Sequence, residues 1–321
     1  MDNKITKKRL GDLCSYDWIL FIAAIAAAIL VWELLYAFTS VKLTTGQRFS
    51  IFYDEGVINK NETALRGFLQ KDDALSFEVI VLDSESMAAS TNVLSIRLQV
   101  GDGDVIFASV KPKEGEGSDK GTVRAKSIID GGYVYNFERL VTDAEEYLKK
   151  FKNLSGGWND EAIYENFDAR LGRDNRFRSE SEKTEGKRLE KERLVRLEKE
   201  LADFKSLLLN EDYLFRYTRF TQTLDRASES RKAEYEEYVK IEKQNGRENV
   251  AYGLNIGALH TAEGKLNVSE LVSLNGESTA ENVVLMIFDF YKDQPDAQFE
   301  TISFVNCVVR NCSNALPALN A

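Results

Sequence analysis

Histidine is almost missing from this chain of 321 residues, where His260 stands alone. One imidazole excludes His-rich zinc centres and confines any Ser-His-Asp or Cys-His arrangement to its own surroundings. Those surroundings, Asn255-Ile256-Gly257-Ala258-Leu259, read as a loop or helix start that marks no nucleophile, so an exposed loop histidine is expected. Cysteine is equally scarce: Cys14, Cys307 and Cys312 are the whole complement. Three thiols do not make a stapled scaffold. A continuous helix through Cys307 and Cys312 would hold them more than a turn apart as free thiols, whereas a short loop would let them pair. GxSxG, P-loop and HExxH patterns are all absent. No catalytic constellation, metal site or cofactor is therefore expected, and an envelope hydrolase or transferase is the least favoured reading.

Positive charge is also in deficit, with 42 Lys and Arg against 52 Asp and Glu and a net charge of −10. Cations and anions balance within residues 1–38, so the whole excess falls on the rest of the chain. Nucleic acid is excluded as an expected partner, because phosphate binding is driven by cationic patches that release counterions. A cationic or neutral ligand suits such a surface.

What the sequence does have is one long apolar run, Trp18 to Phe38, with Glu33 as its single charge. As a helix it is long enough to cross a hydrocarbon core of about 30 Å. Lys4, Lys7, Lys8 and Arg9 precede it, whereas only Lys42 and Arg48 lie close behind, which places the N-terminus in the cytoplasm and the bulk of the chain outside. A cleaved signal peptide is the competing reading. The run exceeds the usual ~7–15 residues of a signal core, and Ala37-Phe38-Thr39 is a poor cleavage site, so an uncleaved single-pass anchor in the cell membrane is expected. Glu33 falls near the outer end, where its carboxylate reaches the interface at modest cost.

Beyond the anchor, apolar strands alternate with amphipathic helices. Gly46 to Tyr53 reads as a buried strand, Glu62 to Leu69 as a helix, and Ser76 to Leu82 as a strand closed by a turn at Asp83-Ser84-Glu85-Ser86. Ser86 to Leu98 reads as a second helix, Val105 to Ala108 as a third strand, and Tyr133 to Phe151 as a further helix. The Lys111 to Gly121 segment, charged and glycine-rich, reads as a solvated loop. Alternation of this kind predicts an α/β fold with a mainly parallel sheet.

In open parallel sheets ligands bind at the strand ends, which makes Tyr53, Asp54, Asp83 and Ser84 candidate ligand-binding residues. Asp102 and Asp104 join them from Gly101-Asp102-Gly103-Asp104. That run lacks the later oxygen ligands of a calcium loop and reads as a turn feeding a strand.

Residues 179–245 differ from the rest. They contain no proline, one glycine (Gly186), and fifteen Lys and Arg against sixteen Asp and Glu, as expected of salt-bridged helices. Leu194, Leu197, Leu201, Phe204 and Leu208 repeat at 3-4-3-4 spacing and form one apolar seam. Two readings stay open: an intramolecular helical hairpin laid on the α/β body, or an insertion whose seam receives a partner. The resulting plan is a cytoplasmic tail (1–17), a membrane span (18–38), an α/β part (39–178), a charged helical insertion (179–245) and a returning α/β part (246–321).

The order of elements resembles the type II periplasmic, extracytoplasmic solute-binding fold, especially small membrane-anchored relatives in Gram-positive bacteria. Strand Arg48–Tyr53, helix, strand Ser76–Leu82, helix and Gly101-Asp102-Gly103-Asp104-Val105-Ile106 look like that family's first lobe. Tyr252-Gly253-Leu254-Asn255-Ile256, Val283–Phe288 and Phe299-Glu300-Thr301-Ile302 look like its returning segment. The resemblance implies binding of a small solute or an envelope component. Where the family has a second α/β lobe, this chain has its charged helical stretch, and no arginine clamp or aromatic platform matches. That departure implies a reduced cleft, or a scaffold turned to an interaction role.

If the lysine and arginine count sets the topology, protease added to intact cells stripped of any outer wall should degrade residues beyond about 40 and spare an N-terminal tag. Protection of the C-terminal part would reverse the assignment.

Overall fold

The computed structural model describes residues 11, 18–39, 47–75, 81–86, 96–97, 99–115, 118–171, 176–275, 277–291 and 298–317. Its strands are β1 (Arg48–Tyr53), β2 (Val57–Asn59), β3 (Val81–Ser86), β4 (Val105–Ser109), β5 (Pro112–Gly115), β6 (Ser118–Val123), β7 (Leu214–Tyr217), β8 (Val250–Asn255), β9 (Val272–Leu274) and β10 (Val283–Ile287). Its helices are α1 (Trp18–Thr39), α2 (Glu62–Lys71), α3 (Arg124–Asp130), α4 (Phe137–Lys149), α5 (Asp160–Leu171), α6 (Glu180–Leu207), α7 (Thr221–Arg226), α8 (Glu229–Gln244), α9 (Val268–Leu271) and α10 (Glu300–Cys312).

Residues 1–44 form one unit and 45–321 another. In the first, α1 is the one helix among the described residues that is long and apolar enough to cross a membrane. The remainder of the 1–17 tail, apart from Gly11, lies outside the described residues.

The second unit is built on a six-stranded sheet in the order β3-β1-β4-β10-β8-β7. Strands β1, β3, β4 and β8 point the same way, so the sheet is mostly parallel in direction; β10 and β7 run against their neighbours. Strand β1 sits between β3 and β4, and alternation sends its side chains to two different layers. Phe49, Ile51 and Tyr53 join the larger core under α2, α4, α6 and α10. Phe52 joins the smaller core under α3, with Ile106, Met286 and Phe288.

Helix α6 carries the heaviest charge and still sets one face into the core. It starts on a capping box, in which the Ser179 hydroxyl accepts the Glu182 N–H while the Glu182 carboxylate accepts the Ser179 N–H. Gly186 then lets α5 cross closely: a Cβ there would stand 2.5 Å from Phe167 and 2.7 Å from Phe177. Leu194, Leu197, Leu201 and Phe204 are buried, and Leu208, half-buried just past the helix, packs on the same core. They face α4, α5 and α10 of the same chain.

Several expectations are corrected. The 179–245 stretch is not wholly helical, because Leu214–Tyr217 pairs antiparallel with β8 and ends the central sheet. Its aromatic residues need a half-buried pleated surface, and a 3-10 turn at Glu211–Tyr213, capped by Asn210, ends the helical run before them. Asp83-Ser84-Glu85-Ser86 is not a turn but the body of β3, paired with β1 along its length. Edge strands tolerate such charge, and here Arg48 and Arg97 receive the two carboxylates. Of the predicted strand Ser76–Leu82, residues 76–80 lie outside the described residues, as do 87–95 and 98 of the predicted helix Ser86–Leu98. From Pro112 on, the expected loop Lys111–Gly121 falls within the two-stranded ribbon β5–β6, whose second strand runs on to Val123. Its inner end is held by the Gln222 side chain, which accepts the Val123 N–H at 2.8 Å and donates to the Val123 carbonyl at 3.3 Å. Cys307 and Cys312 are buried free thiols on one continuous helix.

Truncating the seam tests whether α6 belongs to the core. Leu201→Ala should destabilise the protein by about 2–5 kcal/mol in urea unfolding, and Leu197→Asp with Leu201→Asp should lower melting further while leaving the association state unchanged. Unaltered melting together with lost self-association or partner capture would instead make the seam an interaction surface.

Candidate functional site

Strand β1 runs out at Tyr53, and the chain turns at once. The Asp54 N–H continues the ladder to the Phe107 carbonyl at 2.9 Å, the Val57 N–H closes the turn on the Asp54 carbonyl at 2.9 Å, and Gly56 takes φ +82°. That positive φ suits glycine, and it aims the Gly56 carbonyl at the Asn275 N–H, 2.7 Å away. The carboxyl ends of β1 and β4 thereby border a cavity of about 270 Å³, with Glu55 and Gly56 on one side, Ser109, Lys111 and Pro112 on another, and Leu274, Asn275 and Glu277 facing them. Arg124 completes the wall.

Two ion pairs fix this wall. Asp54 is fully buried, and Arg124 meets it in a two-pronged contact, Nη2 to Oδ1 at 2.9 Å and Nε to Oδ2 at 3.2 Å. Those hydrogen bonds to Asp54 hold the Arg124 guanidinium above its ordinary value against the opposing effect of burial. Lys111 reaches Glu277 at 2.6 Å, and this contact keeps the Glu277 carboxyl below its usual range. The Ser109 hydroxyl accepts the Lys111 N–H at 3.1 Å and orients that lysine's backbone. Charges of both signs therefore line a small concavity in fixed places. Such a wall can hold a polar solute bearing both charges, whereas no nucleophile and base are paired in it. No group of three or more potential metal ligands occurs among the described residues.

The six residues expected to bind ligand do not form one cluster. Asp54 supports the cavity wall through Arg124. Tyr53 turns into the larger core, stacked on Phe107 at 5.2 Å, and burial pushes its phenol above the ordinary value. Ser84 lies opposite Ile51 within the sheet and accepts the Asn59 side-chain amide at 3.2 Å. Asp83, Asp102 and Asp104 gather toward the other end: Asp83 pairs with Arg48, and Arg97 joins Asp102 to Glu85. Asp104 precedes β4 by one residue and stands three residues before Phe107, the register partner of Tyr53, a rise of about 10 Å. Sequence reasoning missed Arg124, Lys111, Asn275 and Glu277. The pairings Asp54–Arg124 and Lys111–Glu277 span 70 and 166 residues, and no local pattern marks them. His260 is exposed, away from these residues in sequence and outside the cavity lining.

No family model, curated protein or solved structure matches the chain.

Asp104 reports on the opposite edge. It is buried, its Oδ2 accepts the Ser50 N–H at 2.7 Å, and its own N–H donates to the Ser50 carbonyl at 3.1 Å. Burial pushes its carboxyl well above the usual range, with the Ser50 N–H opposing and Glu300 and Asp102 adding to the rise. A raised native value means that the folded protein holds this proton more tightly than the unfolded chain. The stability this gives is full below the unfolded value of about 3.9 and is lost as pH climbs through the native value. Asp104→Asn keeps the acceptor for Ser50 and removes the proton. Its stability relative to the parent should rise from about pH 4 upward and then level off; a difference independent of pH would show that Asp104 ionises normally.

Proposed function

We propose that this chain is a membrane-anchored, externally facing binding protein, and that the cavity at the carboxyl ends of β1 and β4 takes a small solute carrying both a positive and a negative group. The observation that carries this reading is the pair of fixed ion pairs, Asp54–Arg124 and Lys111–Glu277, flanking a concavity of about 270 Å³. Its position also agrees with the general placement of ligands at strand ends in α/β sheets. The apolar α1, preceded by four basic residues in sequence, supports an uncleaved anchor that holds the binding unit outside the membrane. The solute-binding resemblance points the same way, with one cavity at the strand ends in place of a cleft between lobes. The competing reading, an interaction protein working through the Leu194–Leu208 seam, is disfavoured because that seam is occupied by the chain's own helices.

A thermal-shift screen of zwitterionic amino acids and small betaines tests the assignment. A true ligand at 100 times its dissociation constant should add about 2.7 kcal/mol of stability. Lys111→Glu, which reverses an exposed cation on the rim, should remove the shift and leave the unliganded melting temperature within a degree or two. A silent screen, or a shift indifferent to Lys111→Glu, would refute the site.

A further inference from the structure

A second concavity, of about 530 Å³, lies between α4 and α6, separate from the residues that line the strand-end cavity. The two helices run antiparallel along it, and ion pairs close both ends. Glu145 meets Lys205 at 2.5 Å at one end, and Lys152 meets Glu198 at 2.9 Å at the other. Glu198 and Lys205 are seven residues apart on one helix, so the open length is about 10 Å. Its floor is apolar, made by Leu148, Leu201 and Ala202.

Three lysines face two glutamates here, on a chain whose net charge is −10. Lys205 and Lys152 are engaged by the end pairs, and the Lys152 ammonium also sits 3.5 Å over the Trp158 ring. Lys149 is exposed and has no ion-pair partner among the described residues. An apolar trough of fixed length with one unengaged cation on its rim matches a particular chemistry. We infer that it binds a free medium-chain carboxylate, the alkyl chain lying on Leu148, Leu201 and Ala202 and the carboxylate meeting Lys149. A trough bounded by ion pairs about 10 Å apart spans only about three residues of an extended peptide, and the apolar floor disfavours a wholly polar solute. Lys149 also stands in the last turn of α4, where a cation offsets the helix dipole; that role concerns stability and gives no preference among ligands.

The test uses the full chain in lipid nanodiscs, with Trp18→Phe and Trp32→Phe so that Trp158 is the sole indole. Octanoate should change Trp158 emission saturably, and octylamine should bind at least about tenfold more weakly. Lys149→Gln should weaken octanoate about tenfold, the size of one charge-assisted hydrogen bond, and leave 1-octanol unchanged. Ala202→Phe, at an exposed position, should fill the trough and abolish binding of both. Equal responses to octanoate and octylamine would overturn the inference, as would a response that rises without saturation or is unmoved by either variant. None of these outcomes bears on the strand-end cavity.

Discussion

The structure depends on burying a helix that is mostly charge. Helix α6 can lie in the core because its polar side chains divide by position. One stripe is apolar, and the charged residues that are forced inward meet opposite charges there. Glu200 is buried against Arg310, whose guanidinium also reaches Asp203 at 2.8 Å, and the Asn306 amide donates to Glu200 at 2.6 Å. Glu190, equally buried, lies between Arg193 at 3.0 Å and Arg170 at 2.9 Å. Burial alone would raise its carboxyl, but the two guanidiniums hold it below the usual range. Pairs of this kind add little net stability, because desolvation offsets their attraction, yet breaking one leaves a buried charge and costs about 3–5 kcal/mol. Their effect is to allow one docking of α6 on α10 and α5 and to penalise slipped ones.

That docking determines which surfaces are left to work. With the seam facing inward, α6 becomes the support for one side of the sheet. The opposite layer, under α3, is thinner, and the turn after β1 opens toward it through the Asp54–Arg124 pair. A buried carboxylate at a strand end thus links the sheet to the first residue of α3 and shapes the cavity wall with the same contact.

The elements legible from sequence were those whose signal is local. The apolar run of α1, the aromatic and β-branched run of β1, the short apolar run of β4, the helical spacing in α4 and the seam of α6 all reappear close to their expected bounds. Elements stabilised from a distance were not legible. Strand β3 looks like a turn because its charges are balanced by Arg48 and Arg97, and β7 hides inside a charged helical composition because four residues carry no periodicity. The β5–β6 ribbon depends on Gln222, some hundred positions away. Asp54 alone of the expected binding residues supports the cavity wall, since strand ends can be guessed from pattern. Its partner Arg124 requires knowledge of the crossover, and the same holds for the meeting of Lys111 with Glu277.

Hydrogen exchange resolved along the chain tests the central claim most directly, namely that the charged helix is core and the strand-end cavity is the working part. The Leu194–Leu207 amides should exchange as slowly as those of β1, β4 and β10, by global unfolding alone, while Glu55 and Gly56 within the turn after β1 and the exposed rim at Lys111 exchange faster. Exchange of the α6 amides well ahead of the central strands would contradict the account and return that helix to the role of an open interaction surface.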